Sequence, residues 1–240
     1  MFKQCLLGCV FGMLLLTVGV GRAEELRIVS LDLPPYWYWE QGEQCGLCSE
    51  LGTAIAKEAG LEVVDISARL CRGLEEMKMG RADMIVLFAS PEAETVGHNL
   101  GVVFQEQSVV VGLAGTHFHS LDALEGKRVA ALRGARGGAR ISREKEMVPC
   151  STRSFVHSLK LLIGGRVDAV YGPRLGVEYA LNSHDVPRKA FSEPYEIVSV
   201  PITVYVSRHA SSVLIEKVRG AVQRLIANGT VEAIRAKYAL

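Results

Sequence analysis

The sequence predicts an α/β fold with two similar lobes and a ligand cleft between them. The main observation is a phrase that occurs twice: Gly-Arg-Ala-Asp-Met-Ile-Val at 80–86 returns as Gly-Arg-Val-Asp-Ala-Val-Tyr at 165–171. Each copy follows an amphipathic run. Its glycine suits the end of a helix, and the apolar run after its Asp suits a buried strand. Strand and helix patterns also alternate along the chain, which is typical of a largely parallel sheet. Two similar lobes in an exported chain indicate a cleft that binds a ligand.

Residues 1–23 have the pattern of a secretory signal peptide. Lys3 gives a positive start, residues 14–20 form an apolar core, and Gly21 and Ala23 are small residues ahead of a cut after Ala23. The apolar stretch is too short and too rich in glycine to predict a membrane span. We therefore expect the mature protein in the periplasm.

The predicted elements follow from local pattern. Strands are expected at 26–31, 61–66, 84–88, 102–113, 127–132, 169–171 and 201–206, where residues are apolar or alternate. Helices are expected at 49–59, 74–79, 121–126, 159–163, 175–182, 214–226 and 231–238. Ser49 is the expected cap of the first long helix and Gly60 its stop. The aromatic run 36–39 is expected in a loop, because Pro34 and Pro35 end the first strand.

Overall charge excludes some classes of partner. The chain has 27 basic and 26 acidic residues, a formal net charge of +1. Such a balance gives no broad surface for nucleic acid or an anionic membrane. The sequence also lacks the Walker phosphate loop, so nucleotide hydrolysis has no support. We expect a monomer with no nucleic-acid partner and no cofactor.

The order of phrases resembles the bacterial extracellular solute-binding proteins of family 3, the periplasmic receptors of ABC importers for polar amino acids. The segments that carry the match are 32–36, 46–61, 77–83, 121–129, 162–168 and 228–238. The resemblance implies a type II periplasmic-binding-protein-like fold, in which two hinge strands join the lobes and the ligand binds between them as they close. Lobe 1 would be 24–104 plus 201–240, and lobe 2 would be 105–200. A small-molecule ligand and an inner-membrane ABC permease would be the partners.

Two departures from the family pattern bear on the ligand. Amino-acid binders of the family carry an Arg that holds the ligand carboxylate, and the matching phrase 90–93 ends here in Ala93. They also carry an Asp that holds the ligand ammonium, and the matching pair here is Gly172 and Pro173. A methyl group does not replace a guanidinium fork. The sequence therefore argues against a standard α-amino acid and favours another small polar, anionic ligand, either amino-acid-like or an organic acid.

Aromatic and acidic residues after the first strand are candidate ligand contacts. Asp32 and Tyr36 match positions that face the cleft in the family. Trp37 and Trp39 extend an aromatic wall that would stack on a flat or apolar ligand. The alternative is that one or two of these aromatic residues anchor the loop on the core.

Arginines supply a candidate anion site. Arg72 precedes the first-repeat helix, where some relatives carry a cleft Arg. The turn 133–140 presents Arg133, Arg136 and several glycines ahead of a predicted helix, a combination that binds carboxylate or phosphate. A solvated basic loop is the alternative. Phe88 and Ser90, at the end of the first-repeat strand, complete the candidate ligand-binding set.

Four cysteines remain after the signal peptide is removed: Cys45, Cys48, Cys71 and Cys150. An even number in an exported protein predicts disulfides, and four cysteines allow three pairings. The pair Cys45 and Cys48 has CxxC spacing at a helix start, so a metal- or haem-ligand pair and thiol-redox chemistry are alternatives to a structural disulfide shared or not with Cys71. Haem attachment would need a His where Ser49 stands.

Three functional hypotheses follow. The first is a transport receptor, and the second is a ligand-sensing module that contacts a membrane sensor. The third is an enzyme on the same scaffold, as in cyclohexadienyl dehydratase, or a thiol-redox protein that uses Cys45 and Cys48. No nucleophile turn or catalytic pair marks an enzyme, and the close pair His117 and His119 is explained more simply as solvated than as metal ligands. We therefore expect a binding protein with no catalytic or metal site.

Overall fold

The computed structural model describes residues 24–133 and 147–238, so the predicted signal peptide and Arg136 lie outside the described residues. The strands are β1 (Glu25–Leu31), β2 (Tyr38–Glu40), β3 (Glu43–Cys45), β4 (Glu62–Ala68), β5 (Met84–Phe88), β6 (Gly97–Val111), β7 (Arg128–Leu132), β8 (Val148–Thr152), β9 (Ala169–Pro173) and β10 (Tyr195–Ser207). The helices are α1 (Leu47–Ala59), α2 (Leu70–Lys78), α3 (Pro91–Val96), α4 (Phe155–Ile163), α5 (Arg174–Leu181), α6 (Ser212–Ala227) and α7 (Thr230–Ala236). Short 3-10 turns occupy Leu121–Leu124 and Arg188–Ala190.

Eight strands form one sheet in the order β4-β1-β5-β10-β6-β9-β7-β8, and β2 and β3 form a separate hairpin. β1 lies parallel to β4 and β5, and β7 lies parallel to β8 and β9. The long strands β6 and β10 pair antiparallel along their length and join these two halves. The prediction of a parallel sheet therefore holds within each half, whereas the junction is antiparallel. We call the half with β1, β4 and β5 lobe 1 and the half with β7, β8 and β9 lobe 2.

The register of β6 and β10 makes the two parallel halves end towards each other. β5 ends at Phe88, which is opposite Ile202 of β10, and Ile202 is in turn opposite Phe104 of β6. β9 approaches from the other direction and ends at Pro173, opposite Ser108 of β6. The carboxyl ends of both halves thus meet across a short stretch of the long strands. Ligands of open α/β sheets bind in the crevice outside the carboxyl ends of the strands.

Each lobe has its own hydrophobic core. The largest cluster of buried apolar side chains comes from residues 26–104 and 202–234, with Leu175 added from α5. Two smaller clusters come from residues 109–191. Lobe 1 is therefore built from both ends of the described chain, and lobe 2 from one continuous middle segment.

The repeated Gly-Arg-x-Asp phrase is a joint that binds an arginine from a neighbouring strand. Asp83 accepts hydrogen bonds from the backbone N–H and from Nε of Arg27, both at 2.9 Å, and the same guanidinium donates to the carbonyl of the joint's glycine. Asp168 makes the matching bonds with Arg128 at 2.8 and 3.1 Å. Both glycines have left-handed φ angles, 66° and 64°. Because each joint precedes β5 or β9, it lies at the amino end of the strand, away from the crevice.

The start of α1 differs from the prediction. The helix begins at Leu47 and its N-cap is Gly46, whereas Ser49 is buried inside the first turn. The aromatic run expected in a loop continues into the β2–β3 hairpin. The hairpin was missed because its strands are only three residues long.

Candidate functional site

The loop after β1 folds back onto α1, and this fold places Tyr36 at the crevice. Leu33 and Trp37 exchange two backbone hydrogen bonds of 3.0 Å, and the first two amides of α1 donate to the carbonyls of Pro35 and Tyr36. Gly46 makes this approach possible. Its φ is 115°, and an added Cβ would lie 2.5 Å from the Tyr36 carbonyl oxygen.

Tyr36 and Phe88 meet where β5 ends. Their ring centroids are 5.4 Å apart with an interplanar angle of 78°, an edge-to-face contact. Tyr36 is 1% exposed and Phe88 is half-buried. At the same edge, Ser90 caps α3 by accepting a hydrogen bond from the Ala93 N–H at 3.2 Å, and Asp32 is exposed. The structure brings these predicted residues to the carboxyl ends of β1 and β5, and their contact with a ligand stays a prediction.

Glu106 is a buried acid on the long strand β6. It lies between Phe104 and Ser108, the two positions at which β5 and β9 end, and its exposed fraction is 9%. Its Oε1 accepts a hydrogen bond of 3.1 Å from the backbone N–H of Leu175 in the first turn of α5. Burial raises the pKa of the Glu106 carboxyl above its ordinary value, and the Leu175 N–H partly opposes that effect.

The hydroxyl of Tyr36 is within electrostatic range of Glu106. It is fully buried and has no hydrogen-bond partner in the part of the chain that the structure describes. Burial raises the pKa of Tyr36 well above its ordinary value, and the charge of Glu106 adds to this effect. The backbone of Gly176 is near enough to lower that pKa slightly. The charge of Glu106 also adds to the burial that raises the pKa of the Cys48 thiol.

The two lobes touch through apolar side chains at this point. Leu175 of α5 packs into the core of lobe 1, and Leu33 packs against the cores of both lobes. The hairpin adds Tyr38, whose ring centroid is 6.3 Å from that of Tyr179 on α5. We call Tyr36, Phe88, Glu106 and Leu175 the hinge cluster.

Two of the predicted arginines, Arg72 and Arg133, lie in the segments that follow strands β4 and β7. Arg72 is on α2, which follows β4, and its Nε is 2.6 Å from a carboxylate oxygen of Glu76. Arg133 follows β7, is exposed, and has no carboxylate partner within the described ranges. These two positions belong to the carboxyl ends of lobe 1 and lobe 2 respectively. Both remain predicted ligand contacts.

Trp37, like Tyr36, is buried in the core of lobe 1. Its side chain is 2% exposed and belongs to the core of lobe 1, where an added Cβ at Gly52 would lie 3.6 Å from its ring. It therefore anchors the loop, which is the alternative that the sequence left open. Trp39 lies on β2 and is 57% exposed.

The expected disulfide is not supported, because Cys45, Cys48, Cys71 and Cys150 are all free. Cys48 is 2% exposed in the core of lobe 1 and acts there as a small apolar residue. Cys45 lies on the hairpin strand β3, and Cys71 is exposed on α2. Burial raises the pKa of Cys48, the opposite of the lowered pKa that thiol-redox chemistry requires.

Within residues 24–133 and 147–238, no group of three or more His, Cys, Asp or Glu side chains is arranged to hold a metal ion. The rings of His117 and His119 stack with centroids 6.2 Å apart. None of the helices in those same ranges is long and apolar enough to cross a membrane.

Sequence reasoning missed Glu106, Leu175 and the Tyr38–Tyr179 contact. The hydrogen bond between Glu106 and Leu175 joins positions 69 residues apart. It depends on β9 pairing with β6, which no local pattern specifies. The one available signal was that Glu106 lies in a polar run, 105–108, inside the predicted strand 102–113.

The sequence model of bacterial extracellular solute-binding proteins, family 3, matches residues 26–240. No curated protein matches the chain significantly. Several solved structures are similar in fold. An ancestral arginine-binding protein bound to arginine is 20% identical, with a TM-score of 0.76 over 90% of this chain and 98% of that chain. The arginine-, lysine-, histidine-binding protein ArtJ from Geobacillus stearothermophilus is 17% identical, with a TM-score of 0.77 over 90% and 94%.

A histidine kinase sensor domain with similarity to periplasmic binding proteins is 21% identical, with a TM-score of 0.77 over 90% of this chain and 95% of that chain. These likenesses confirm the predicted two-lobe, type II fold. Because the family match spans the sheet, both long strands and the last helices, the chain belongs to the bacterial extracellular solute-binding proteins of family 3.

Proposed function

We propose that this protein is a periplasmic receptor that captures a small polar ligand between its lobes and delivers it to an inner-membrane ABC importer. The observation that carries the proposal is the register of β6 and β10, which makes the parallel strands of both lobes end at one crevice. A ligand that touches both edges stabilises the closed arrangement and shifts the population towards it. We place lobe 1 at 24–104 plus 201–240, lobe 2 at 105–200, and a signal peptide at 1–23.

The ligand carries an anionic group that binds near the rim. Arg133 of lobe 2 is exposed, and among the described residues it has no carboxylate to neutralise it. Arg72 of lobe 1 shares its partner Glu76 with Arg81, so one carboxylate serves two guanidiniums there. Guanidinium groups on both edges give a carboxylate or phosphate bidentate partners. Arg136 and Tyr36 belong to the same proposed ligand-binding set, with Asp32, Phe88 and Ser90; Trp37 leaves that set because it is buried in the core of lobe 1.

A sensor role is the second candidate function. It is supported by the likeness to a histidine kinase sensor domain, which is as similar in fold as the transport receptors are. Uptake separates the two roles. Deleting the gene abolishes uptake of the labelled ligand if the protein is a transport receptor. If the protein serves a sensor, the deletion leaves uptake intact and removes a response to the ligand.

An enzymatic role is not proposed. One similar structure is an ancestral amino acid-binding protein described as a precursor of cyclohexadienyl dehydratase, 15% identical with a TM-score of 0.75. That likeness supports the fold alone. We expect any bound ligand to be recovered unchanged, and mass spectrometry of the ligand after incubation with the protein checks this expectation.

A thermal-shift screen tests the binding proposal. Protein lacking residues 1–23 is heated with amino acids, organic acids, polyamines and phosphates. A ligand at a hundredfold excess over its Kd stabilises the folded state by about 2.7 kcal/mol, a clear rise in melting temperature. Arg133→Gln should weaken a carboxylate or phosphate ligand by on the order of 1–3 kcal/mol. Arg166→Gln, at the joint before β9, is the matched control and should change nothing. Silence across the panel, or equal loss in both variants, contradicts the proposal.

A further inference from the structure

We propose that His117 and His119 form a binding site for a divalent transition-metal ion on lobe 2. The pair follows the end of β6 at Val111, which is opposite Val170 near the amino end of β9. It therefore lies at the end of lobe 2 that faces away from the crevice, where the carboxyl ends of the strands meet. The proposal goes beyond ligand capture and does not depend on it.

The residues of the pair alternate with a core residue. Phe118 is 8% exposed and packs with Val110 and Leu124 in one of the two smaller cores, whereas both histidines are exposed. In extended backbone, residues two apart face the same side. The rings of His117 and His119 accordingly lie side by side, with centroids 6.2 Å apart and planes only 12° from parallel. Burial of the middle residue thus presents both imidazoles to solvent together.

Hydrogen bonds hold the backbone on both sides of the pair. Before it, Gly112 and Ser192 exchange two bonds: the Ser192 N–H donates to the Gly112 carbonyl at 2.9 Å, and the Gly112 N–H donates to the Ser192 hydroxyl at 3.0 Å. At its end, the Tyr195 hydroxyl donates to the His119 carbonyl at 2.7 Å. Because the backbone is already ordered, binding an ion costs less conformational freedom here than it would on a flexible loop.

The chemistry of the pair selects the class of ion. Imidazole nitrogens suit Cu²⁺, Ni²⁺ and Zn²⁺, whereas Mg²⁺ and Ca²⁺ require oxygen ligands. An ion bound at about 2 Å to one nitrogen of each ring would hold the ring centres about 4.5–5 Å apart. Rotation of exposed side chains closes the observed 6.2 Å to that distance. Among the described residues no third His, Cys, Asp or Glu completes a larger group, so water fills the remaining coordination positions.

This geometry changes the expectation from sequence. The spacing of His117 and His119 alone favoured two solvated side chains, because spacing does not show whether the rings meet. The structure adds the buried Phe118 between them, the near-parallel rings and the fixed backbone. Together these features make a chelating pair.

Calorimetric titration with Ni²⁺ tests the proposal on the untagged chain that lacks residues 1–23. Ni²⁺ is the probe because, unlike Cu²⁺, it does not oxidise the exposed thiol of Cys71. His117→Gln and His119→Gln should each weaken Ni²⁺ binding at least tenfold. The double variant should lose little more than either single variant, because removing one ligand already ends the chelate. Mn²⁺ should bind at least tenfold more weakly than Ni²⁺.

A matched control separates this pair from general binding to histidines. His157 is an exposed histidine on α4, and His157→Gln should leave the Ni²⁺ affinity unchanged. All three side chains are exposed, so circular dichroism of the variants should match that of wild type. No binding of Ni²⁺, a loss below tenfold in either variant of the pair, or an equal loss in His157→Gln overturns the site.

Nuclear magnetic resonance of the unaltered chain gives a test that needs no variant. A small fraction of one equivalent of Cu²⁺, which is paramagnetic, should broaden the signals of residues 116–120 before any others. Broadening that begins elsewhere overturns the site. None of these results affects the proposed capture of a ligand between the lobes, which the thermal-shift screen tests separately.

Discussion

Replacing Asp168 by Asn should destabilise lobe 2 in a way that depends on pH. The side-chain and backbone N–H groups of Arg128 hold the pKa of Asp168 at about 2, against an ordinary value of 3.8. Because one pKa unit corresponds to about 1.4 kcal/mol, this fall is worth roughly 2.5 kcal/mol at most. The Asp168 side chain is 35% exposed, and solvent screening reduces the expected contribution to roughly 1 kcal/mol.

The sign of the pH dependence follows from the lowered pKa. The ionised Asp168 stabilises the fold above a pH of about 4, and the contribution is lost as the pH falls from about 4 to about 2, since the unfolded chain takes up the proton first. Urea unfolding at pH 7 and near pH 2 measures this. Asp168→Asn should be about 1 kcal/mol less stable than wild type at pH 7 and equal to it near pH 2.

The matched control is Glu216→Gln, which removes an exposed acid 3.2 Å from Arg219 and should change the stability by a few tenths of a kcal/mol at most. A destabilisation of Asp168→Asn that is the same at both pH values would refute the reasoning, because it would have to come from packing and not from the charge.

Three further outcomes are expected. Cys71 should react with a thiol reagent in the native protein, whereas Cys48 should react only after unfolding, because it is buried and its pKa is raised; peptide mass spectrometry distinguishes them, and rapid labelling of Cys48 would contradict the core assignment. Glu106→Gln should be more stable than wild type at pH 7 and should lose that advantage below about pH 4. Burial raises the pKa of Glu106, so ionising this carboxyl costs more free energy in the folded protein than in the unfolded chain, and the cost disappears at a pH where both states are protonated. Urea unfolding at both pH values measures this, and a constant difference would contradict it. Gly172→Ala should lower stability by on the order of 1–3 kcal/mol, because its Cβ would lie 2.3 Å from the Phe155 ring; an unchanged melting temperature would count against that packing.

The sequence predicted the repeated joint but not its partner. The glycine and Asp of each copy are visible because helix, glycine and strand follow each other along the chain. Arg27 and Arg128 are not visible as their partners, because each contact depends on which strand lies alongside. Charged residues at strand starts are common, so nothing local marks these two.

Strand β10 shows the limit of hydrophobic pattern. Its predicted start was Pro201, and the observed start is Tyr195. The second half, from Ile202 to Ser207, is buried between β5 and β6, so its residues form an apolar run. The first half pairs with β6 alone and is mostly exposed or half-buried. An exposed strand segment need not be apolar. The hydrophobic pattern therefore predicted only the buried half of β10.

The sequence predicted the parts of the candidate site that one local segment determines, such as Tyr36. It missed Glu106, whose position depends on how β5, β6 and β9 align. Tyr36 and Trp37 were proposed together, and the sequence does not say which ring turns inward to the core. In the structure both rings are buried in the core of lobe 1, and Tyr36 also contacts Phe88 where β5 ends. Glu106 required knowledge of the register of β6 against both β5 and β9.

The chain order of the sheet has a consequence for how the protein assembles during synthesis. Residues 109–191 supply both smaller cores, so lobe 2 can form as soon as that continuous stretch has emerged. Lobe 1 cannot form at that stage, because its core needs residues 202–234. β5 also lacks a neighbour on one side until β10 pairs with it. Until those late residues arrive, β5 presents an unpaired edge that other strands can add to. The unfinished N-terminal half is therefore the part of the nascent chain that most needs a chaperone to cover it.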